Sequence, residues 1–233
     1  LRLAFISDVH SNIYALRAVL DELSKENTQE TYCLGDVVGY LPFASETIKK
    51  LKNSKIKTIS GNYDKAIVEH GECGCRHDDS KDEKLAERSL DCTHKVLNQT
   101  DKQFLSNLEP TMRMKKKNTH LYLFHGMPHD SKSYLEDEND ISKFKNVISK
   151  QPADVYVFGH VHKPYVKRVE SKIFINCGSV GKSEEPGFAQ YALVDIDDDN
   201  LFVQIMNVPY DIESMKKAFD KSDFEQAIIK RWY

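Results

Sequence analysis

Short apolar runs alternate with amphipathic stretches through the opening of the chain. Residues 1–7 (LRLAFIS) form a strand-like run that stops at Asp8. From 12 to 25, Ile13, Leu16, Val19, Leu20 and Leu23 recur at helical spacing, with Asn12 placed to cap the helix. A second strand is predicted at 31–34, broken by Gly35, and a second helix at 43–51, with Pro42 near its start. A third strand is predicted at 55–60, halted by Gly61. The order β-α-β-α-β predicts an α/β fold, a layered sheet covered by helices.

Residues 68–84 break that rhythm. They hold Gly71, Cys73, Gly74 and Cys75, then a charged run over 76–84 that reads as a solvated face, so a loop or small excursion is expected. Helical spacing resumes at 85–97 and 102–108, the latter ended by Pro110. Strands are predicted at 121–124 and 155–158, with a helix over 141–149 between them. The pattern then turns to hairpins: strands at 165–169, 173–176, 191–196 and 201–208, tight turns at 170–172 and 197–200, and closing helices at 211–220 and 223–231. No repeat or linker divides the chain. One domain over 1–233 is expected, with the small Cys-containing excursion at 68–84.

Composition narrows the class. A chain that is 40% apolar and 30% charged has the balance of a globular protein rather than a disordered one. Lys and Arg number 33 against 36 Asp and Glu, and the resulting charge of −3 gives no global attraction to nucleic acid or anionic lipid. A local basic groove stays open. Lys115, Lys116 and Lys117 cluster without interleaved aromatics, which reads as an exposed turn rather than a nucleic-acid contact. The apolar runs are too short to span a bilayer. Five cysteines at irregular spacing make no disulfide framework and fit a reducing compartment. With no signal-like leader ahead of the first strand, a cytoplasmic protein is expected.

Asp and His fall where strands end. Asp8-Val9-His10 follows the first strand, Asp36 the second within Gly35–Gly39, and Asn62 and Asp64 the third. His125 follows the strand at 121–124, and His160 and His162 the strand at 155–158. Taken singly, each is ordinary turn composition. In series, five apolar runs each stop at a metal-capable side chain, and the carboxyl ends of α/β strands are where binding loops converge. Two Asp, one Asn and four His make a mixed oxygen and imidazole set, suited to Mn²⁺, Fe²⁺, Zn²⁺, Co²⁺ or Ni²⁺ better than to Mg²⁺ alone. Seven ligands exceed one tetrahedral site. With one carboxylate bridging, they serve two ions about 3.5–4 Å apart.

The series Asp8-x-His10, Gly35-Asp36-x-x-Gly39, Gly61-Asn62-x-Asp64, His125-Gly126 and Gly159-His160-x-His162 resembles the calcineurin-like metallophosphoesterase superfamily, and most of all its small prokaryotic phosphodiesterase-type branch. Asn176 to Gly181 is similar to a Gly-Ser-Val-Gly loop of that branch, and Val208-Pro209-Tyr210-Asp211 to the segment before its closing helices. The resemblance implies a four-layer αββα sandwich of two mixed sheets. It implies one metal on Asp8, His10 and His162, a second on Asn62, His125 and His160, and Asp36 bridging them. It further implies a metal-bridging hydroxide attacking phosphorus, with manganese foremost among the ions. A small phosphoester or phosphodiester is the expected substrate; a nucleotide or nucleic-acid hydrolase, a phosphomonoesterase and a metal-binding scaffold on the same fold are alternatives. No membrane partner is expected, and a homo-oligomer stays open.

One position departs from the resemblance. Many members carry His in the third motif, where this chain has Tyr63, a poor proton relay at neutral pH but a hydrogen-bond donor. Tyr63 is therefore a candidate for substrate contact, and His129 a candidate proton donor, weighed against a merely solvated loop histidine. Asp64 is expected to orient a neighbour rather than bind metal. Asn12 and Ser179 are candidate phosphate contacts, against plain capping and turn roles. Cys73-Gly74-Cys75 with His70 and His77 is a metal site, a redox pair or lobe packing over the site's mouth. Tyr40, Tyr63, Tyr134 and Tyr165 lie near the motif loops and could stack a base. Trp232 and Tyr233 are either a self-association patch or packed on the body.

Overall fold

The computed structural model describes residues 1–77, 79–138, 140–197 and 200–233. Two five-stranded mixed sheets lie at its centre. In the first, β1 (Arg2–Ile6) pairs in parallel with β2 (Glu30–Cys33), and β2 with β3 (Lys57–Thr58). On the other side β1 pairs antiparallel with β9 (Phe188–Ile196), and β9 with β10 (Leu201–Pro209), giving the order β10-β9-β1-β2-β3. The second sheet, β4-β5-β6-β8-β7, holds β4 (Thr111–Lys116), β5 (Thr119–Phe124), β6 (Val155–Phe158), β7 (Tyr165–Val169) and β8 (Lys172–Asn176).

Strand alternation explains the layers. Leu3 and Phe5 of β1 point into a core between the sheets, where they meet Leu121, Leu123, Val155, Val157 and Ile175. Ala4 and Ile6 point the other way, into a core shared with α1 (Ile13–Leu23), α2 (Ala44–Asn53), α3 (Asn62–Glu69) and α7 (Ile212–Phe219). On the outer face of the second sheet, Tyr122, Phe124, Tyr156 and Phe158 pack with Phe144 and Val147 of α6 (Ile141–Lys150). Helix, sheet, sheet, helix is the expected αββα sandwich. Because the central strands are buried on both faces, they read as continuous apolar runs.

Four expectations are corrected. The third strand shrinks to two residues: the Ser60 amide leaves the sheet to donate to the Glu109 carbonyl at 2.8 Å. Val68 and Glu69, expected within the loop at 68–84, are instead the last residues of α3, which begins at Asn62. The charged run is no solvated face throughout, because α4 (Ser80–Val96) already begins within it. Asp79 accepts from the Lys81 and Asp82 amides as its N-cap, acidic Asp82 and Glu83 suit the first turn, and Asp82 is buried. Finally, Lys115 and Lys116 are not a turn but close β4, whose Met112 and Met114 face the inter-sheet core; Lys116 pairs with Glu30, and Lys117 with Asp197 at 2.8 Å. α5 (Gln99–Ser106) and α8 (Gln226–Trp232) complete the chain, and Trp232 and Tyr233 pack against the body. Residues 198 and 199 of the expected 197–200 turn lie outside the described residues.

Candidate metal centre and its cleft

The loops after β1, β2, β6 and β8 are laced together by backbone hydrogen bonds. Asp8 N–H donates to Gly35, His10 to Asp36, Ser11 to Val37, and Val180 to Ser7, all at 2.9–3.0 Å. This lacing holds side chains in backbone conformations they would not choose. Asp8, His10, Asp36, His160 and His162 have φ of 54°, 48°, 49°, 67° and 62°, the left-handed region, at a cost of order 1 kcal/mol or more each. Such strain, gathered at one rim and over-determined by its surroundings, marks a functional site.

Two clusters of potential ligand atoms result: Asp8, His10 and His162, and Asp36, His125 and His160. In the first, His10 Nε2 is 3.0 Å from His162 Nε2, and His162 Nε2 is 3.2 Å from Asp8 Oδ1. In the second, His125 Nε2 is 3.3 Å from Asp36 Oδ2 and 2.9 Å from Asn62 Oδ1. Asp36 Oδ2 is also 3.8 Å from His10 Nε2, so one oxygen lies near both clusters. The seven side chains expected from sequence are thus brought together.

The donor set fits divalent cations. Asp8 Oδ1 is buried and makes no well-aligned hydrogen bond; instead the Nε2 atoms of His162, His10 and His125 face it at 3.2, 3.8 and 3.8 Å. His10 and His125 donate Nδ1–H to the Val38 and Leu34 carbonyls, at 3.3 and 2.8 Å, which turns each Nε2 inward. His160 Nε2 is instead 3.2 Å from the Lys132 carbonyl, leaving Nδ1 as its ligand atom. Asn62 donates Nδ2–H to the Cys73 carbonyl at 3.0 Å, which fixes its amide with Oδ1 toward His125.

The same charges set where protons sit in the cluster. Burial alone would lower His125, but Asp36 and Asp8 raise it to about 9. Burial likewise opposes ionisation of Asp8, yet His162, His125 and His10 hold its carboxyl below the ordinary range. Burial and then His162 push His10 well down, and burial and then His125 lower His160 to about 3. Acid and imidazole of opposite tendencies share one small buried volume, as a cation-binding site requires.

Other candidates take different places. Asp64 is buried and touches neither ligand cluster as a donor; its oxygens accept from the Val37, Val38 and Gly61 amides at 3.0, 3.3 and 3.0 Å. It ties α3 to the loop of Asp36, and burial, then Asp36, raise it to about 7. Asn12 and Ser179 are corrected from substrate contacts to braces. Asn12 Oδ1 caps α1 through Ala15 N–H and its Nδ2 donates to the Gly181 carbonyl, both at 3.0 Å. Ser179 Oγ donates to the Asp8 carbonyl and accepts from Lys182 N–H, both at 2.8 Å. Both are fully buried. His129 is not brought to the cleft either. A turn in which Met127 and Asp130 exchange backbone hydrogen bonds carries it to Gln151, 3.1 Å away, in a separate hollow.

The centre opens into a cleft of about 660 Å³. Tyr63 lies at its floor, 1% exposed, its phenol pushed well up by burial, then Tyr40 and Cys75. Tyr40 and Tyr134 also line it, whereas Tyr165 turns away to the Leu135 carbonyl at 2.6 Å. Cys75 lines the mouth, and its Sγ accepts from Asn62 Nδ2 at 3.1 Å, so the Cys-containing excursion braces a candidate ligand. His70 leaves that group to meet His94, with Nε2 atoms 3.3 Å apart on the surface. Lys182, Arg76 and Trp232 stand in the cleft walls, places that the sequence pattern does not predict. For Lys182 the one signal in the chain is its position directly after the loop ending at Gly181.

A family model described as the calcineurin-like phosphoesterase superfamily domain matches residues 1–199. An uncharacterized protein of Methanocaldococcus jannaschii is 27% identical over 240 residues, covering 94% of this chain and 90% of its own. A hypothetical protein from Pyrococcus horikoshii superposes with a TM-score of 0.82 at 21% identity, covering 100% of this chain and 97% of its own. A metallophosphoesterase from Sphaerobacter thermophilus gives 0.76 at 23% identity, covering 99% and 97%. At those identities the two structures speak to the fold.

Proposed function

The chain belongs to the calcineurin-like phosphoesterase superfamily, and from that premise we propose that it is a two-metal phosphodiesterase. The observation that carries the reading is the convergence of Asp8, His10 and His162 beside Asp36, His125 and His160, with one buried Asp8 oxygen faced by three imidazoles. Asp8, His10 and His162 would hold one ion, and Asn62, His125 and His160 the other, with Asp36 shared. Manganese leads among ions suited to mixed carboxylate, amide and imidazole donors, ahead of iron, zinc, nickel and cobalt. Bound there, such ions supply Lewis acidity toward a phosphoryl oxygen and lower the pKa of water.

The chain's own groups prepare the rest. The Leu34 and Val38 carbonyls fix the tautomers of His125 and His10, and Asp64 holds the Asp36 loop through the Val37 and Val38 amides. Tyr63 stays protonated and can only donate a hydrogen bond, so a leaving group that needs little protonation is favoured. Three of the cleft's five lysines and arginines are matched by carboxylates, in the pairs Arg76–Glu136, Lys163–Glu138 and Arg231–Asp82. That balance suits the single charge of a diester better than the double charge of a terminal phosphate, or a polyanion. Among the described residues no helix is long and apolar enough to cross a membrane. Five free thiols suit a reducing compartment such as the cytoplasm.

The test is metal-stripped protein assayed on bis-p-nitrophenyl phosphate and p-nitrophenyl phosphate, with Mn²⁺, Ni²⁺, Zn²⁺ or Mg²⁺ added back. Diester hydrolysis restored by metal and lost in Asp36→Asn is expected. Two bound ions without turnover on any ester would refute it and favour a binding module, the role to which Tyr63 in place of histidine lends itself.

A further inference from the structure

One wall of the cleft lies beyond residue 199, where the family match ends. It is carried by α8. Arg231 donates from Nε and a terminal nitrogen to the two oxygens of buried Asp82 at 2.6 and 2.8 Å, and Arg88 pairs with Glu225, so α8 is clamped on α4. That clamp sets Trp232 at the cleft.

Lys182 meets it from the other side. The preceding Gly181 donates its N–H to the Asp8 carbonyl at 2.9 Å and accepts from Asn12 Nδ2, while Lys182 N–H is held by Ser179 Oγ. The backbone of Lys182 is therefore tied to the loop that carries Asp8. Its Nζ lies 5.0 Å from the centroid of the Tyr40 ring and 5.2 Å from that of Trp232. The two rings meet edge to face at 4.7 Å, and Tyr40 abuts the His10 ring at 4.8 Å. A continuous row thus runs from a candidate metal ligand, through Tyr40, to Trp232, with an ammonium above the last two.

We propose that this row is a nucleotide subsite, in which Lys182 contacts a phosphoryl oxygen and Trp232 stacks the planar base. The inference rests on the phosphoester reading above and names its substrate class, an ester of a mononucleotide. An ammonium presents three donors on a compact charge, the chemistry that a phosphoryl oxygen takes, and this one lies over the ring that abuts His10. The indole ring is the strongest stacking surface among side chains, and stacking is tolerant of base identity. A volume of about 660 Å³ is that of a small-ligand site.

The chain has one tryptophan, so its emission reports this row alone. Full-length protein loaded with Mn²⁺ is titrated with adenosine 5′-monophosphate, ribose 5-phosphate and inorganic phosphate, by fluorescence and calorimetry. The nucleotide should shift Trp232 emission and bind about tenfold tighter than ribose 5-phosphate, the scale of one base stacked on one ring. Trp232→Leu, read by calorimetry, should erase that preference. Lys182→Met, which removes the ammonium and keeps the Trp232 ring and the Arg231–Asp82 clamp, should weaken all three ligands while keeping their order. Equal affinity for nucleotide and ribose phosphate, or a preference that survives Trp232→Leu, overturns the proposal. Hydrolysis of bis-p-nitrophenyl phosphate by the wild type is followed in parallel. Its absence with every metal would sink the hydrolase reading, while a Trp232-dependent nucleotide preference would still uphold the subsite.

Discussion

Adding one methyl group at Gly159 tests the centre's packing most directly. A Cβ there would lie 1.9 Å from Ser7 Oγ and 2.3 Å from Asp8 Oδ2. That oxygen accepts the His160 N–H at 2.9 Å, so Gly159→Ala must move either Asp8 or the His160 backbone. Overpacking a rigid interior costs about 1–3 kcal/mol. Losing a hydrogen bond to a charged acceptor adds about 1.5–3 kcal/mol. Together they come to about 3–5 kcal/mol, a fall in Tm on the order of 10 °C for a chain this long. Gly71→Ala is the control, because nothing lies within 4 Å of its Cβ position; it should be neutral or stabilise by up to about 1 kcal/mol. Circular dichroism melts give the stabilities, and metal analysis after dialysis against Mn²⁺ gives occupancy. Gly159→Ala should melt well below both wild type and Gly71→Ala, and hold less metal. A melting point within about 2 °C of wild type, with full metal content, would refute the argument that this close approach positions Asp8.

Three further outcomes are expected. Asn12→Ala should lower stability by about 1–2 kcal/mol through loss of the α1 cap, and leave KM for a diester unchanged, which steady-state kinetics beside a melt would check. Arg231→Met leaves the buried Asp82 carboxylate without its fork; discounted for the half-exposed guanidinium, the cost is about 1–3 kcal/mol, measured by urea denaturation. The Glu30 carboxyl is held at about 2 by the hydrogen bond from Lys116, helped by Tyr32 and Lys57. A lowered folded value means stability present above the ordinary 4.5 and lost as pH falls toward 2. Glu30→Gln should therefore flatten the acid limb of the melting curve in that window, by about 1–2 kcal/mol after allowance for solvent screening.

Much of the molecule is legible in the order of its residues. Strands β6 and β7 are predicted residue for residue, and α1 and α2 within two residues, because burial on one or both faces leaves a strong periodic signature. The candidate ligands are legible for a related reason: each ends an apolar run, and backbone geometry brings strand ends to one rim. Elements that begin or run among charged residues are harder. β4 hides its alternation among lysines, and α4 begins in a charged run whose helical nature rests on the Asp79 cap and on a partner, Arg231, 149 residues away.

Side-chain roles divide along the same line. The sequence by itself determines which residue types can bind metal, because that depends on chemistry and on local position after a strand. Only the tertiary structure decides which polar groups are already spent. Asn12 and Ser179 turn their hydrogen bonds to the Gly181 and Asp8 backbones, and His129 goes to Gln151, so none of the three faces the cleft. Conversely, Lys182, Tyr40 and Trp232 become neighbours only when α8 docks, since contacts between distant segments follow from packing and leave no local pattern in the chain.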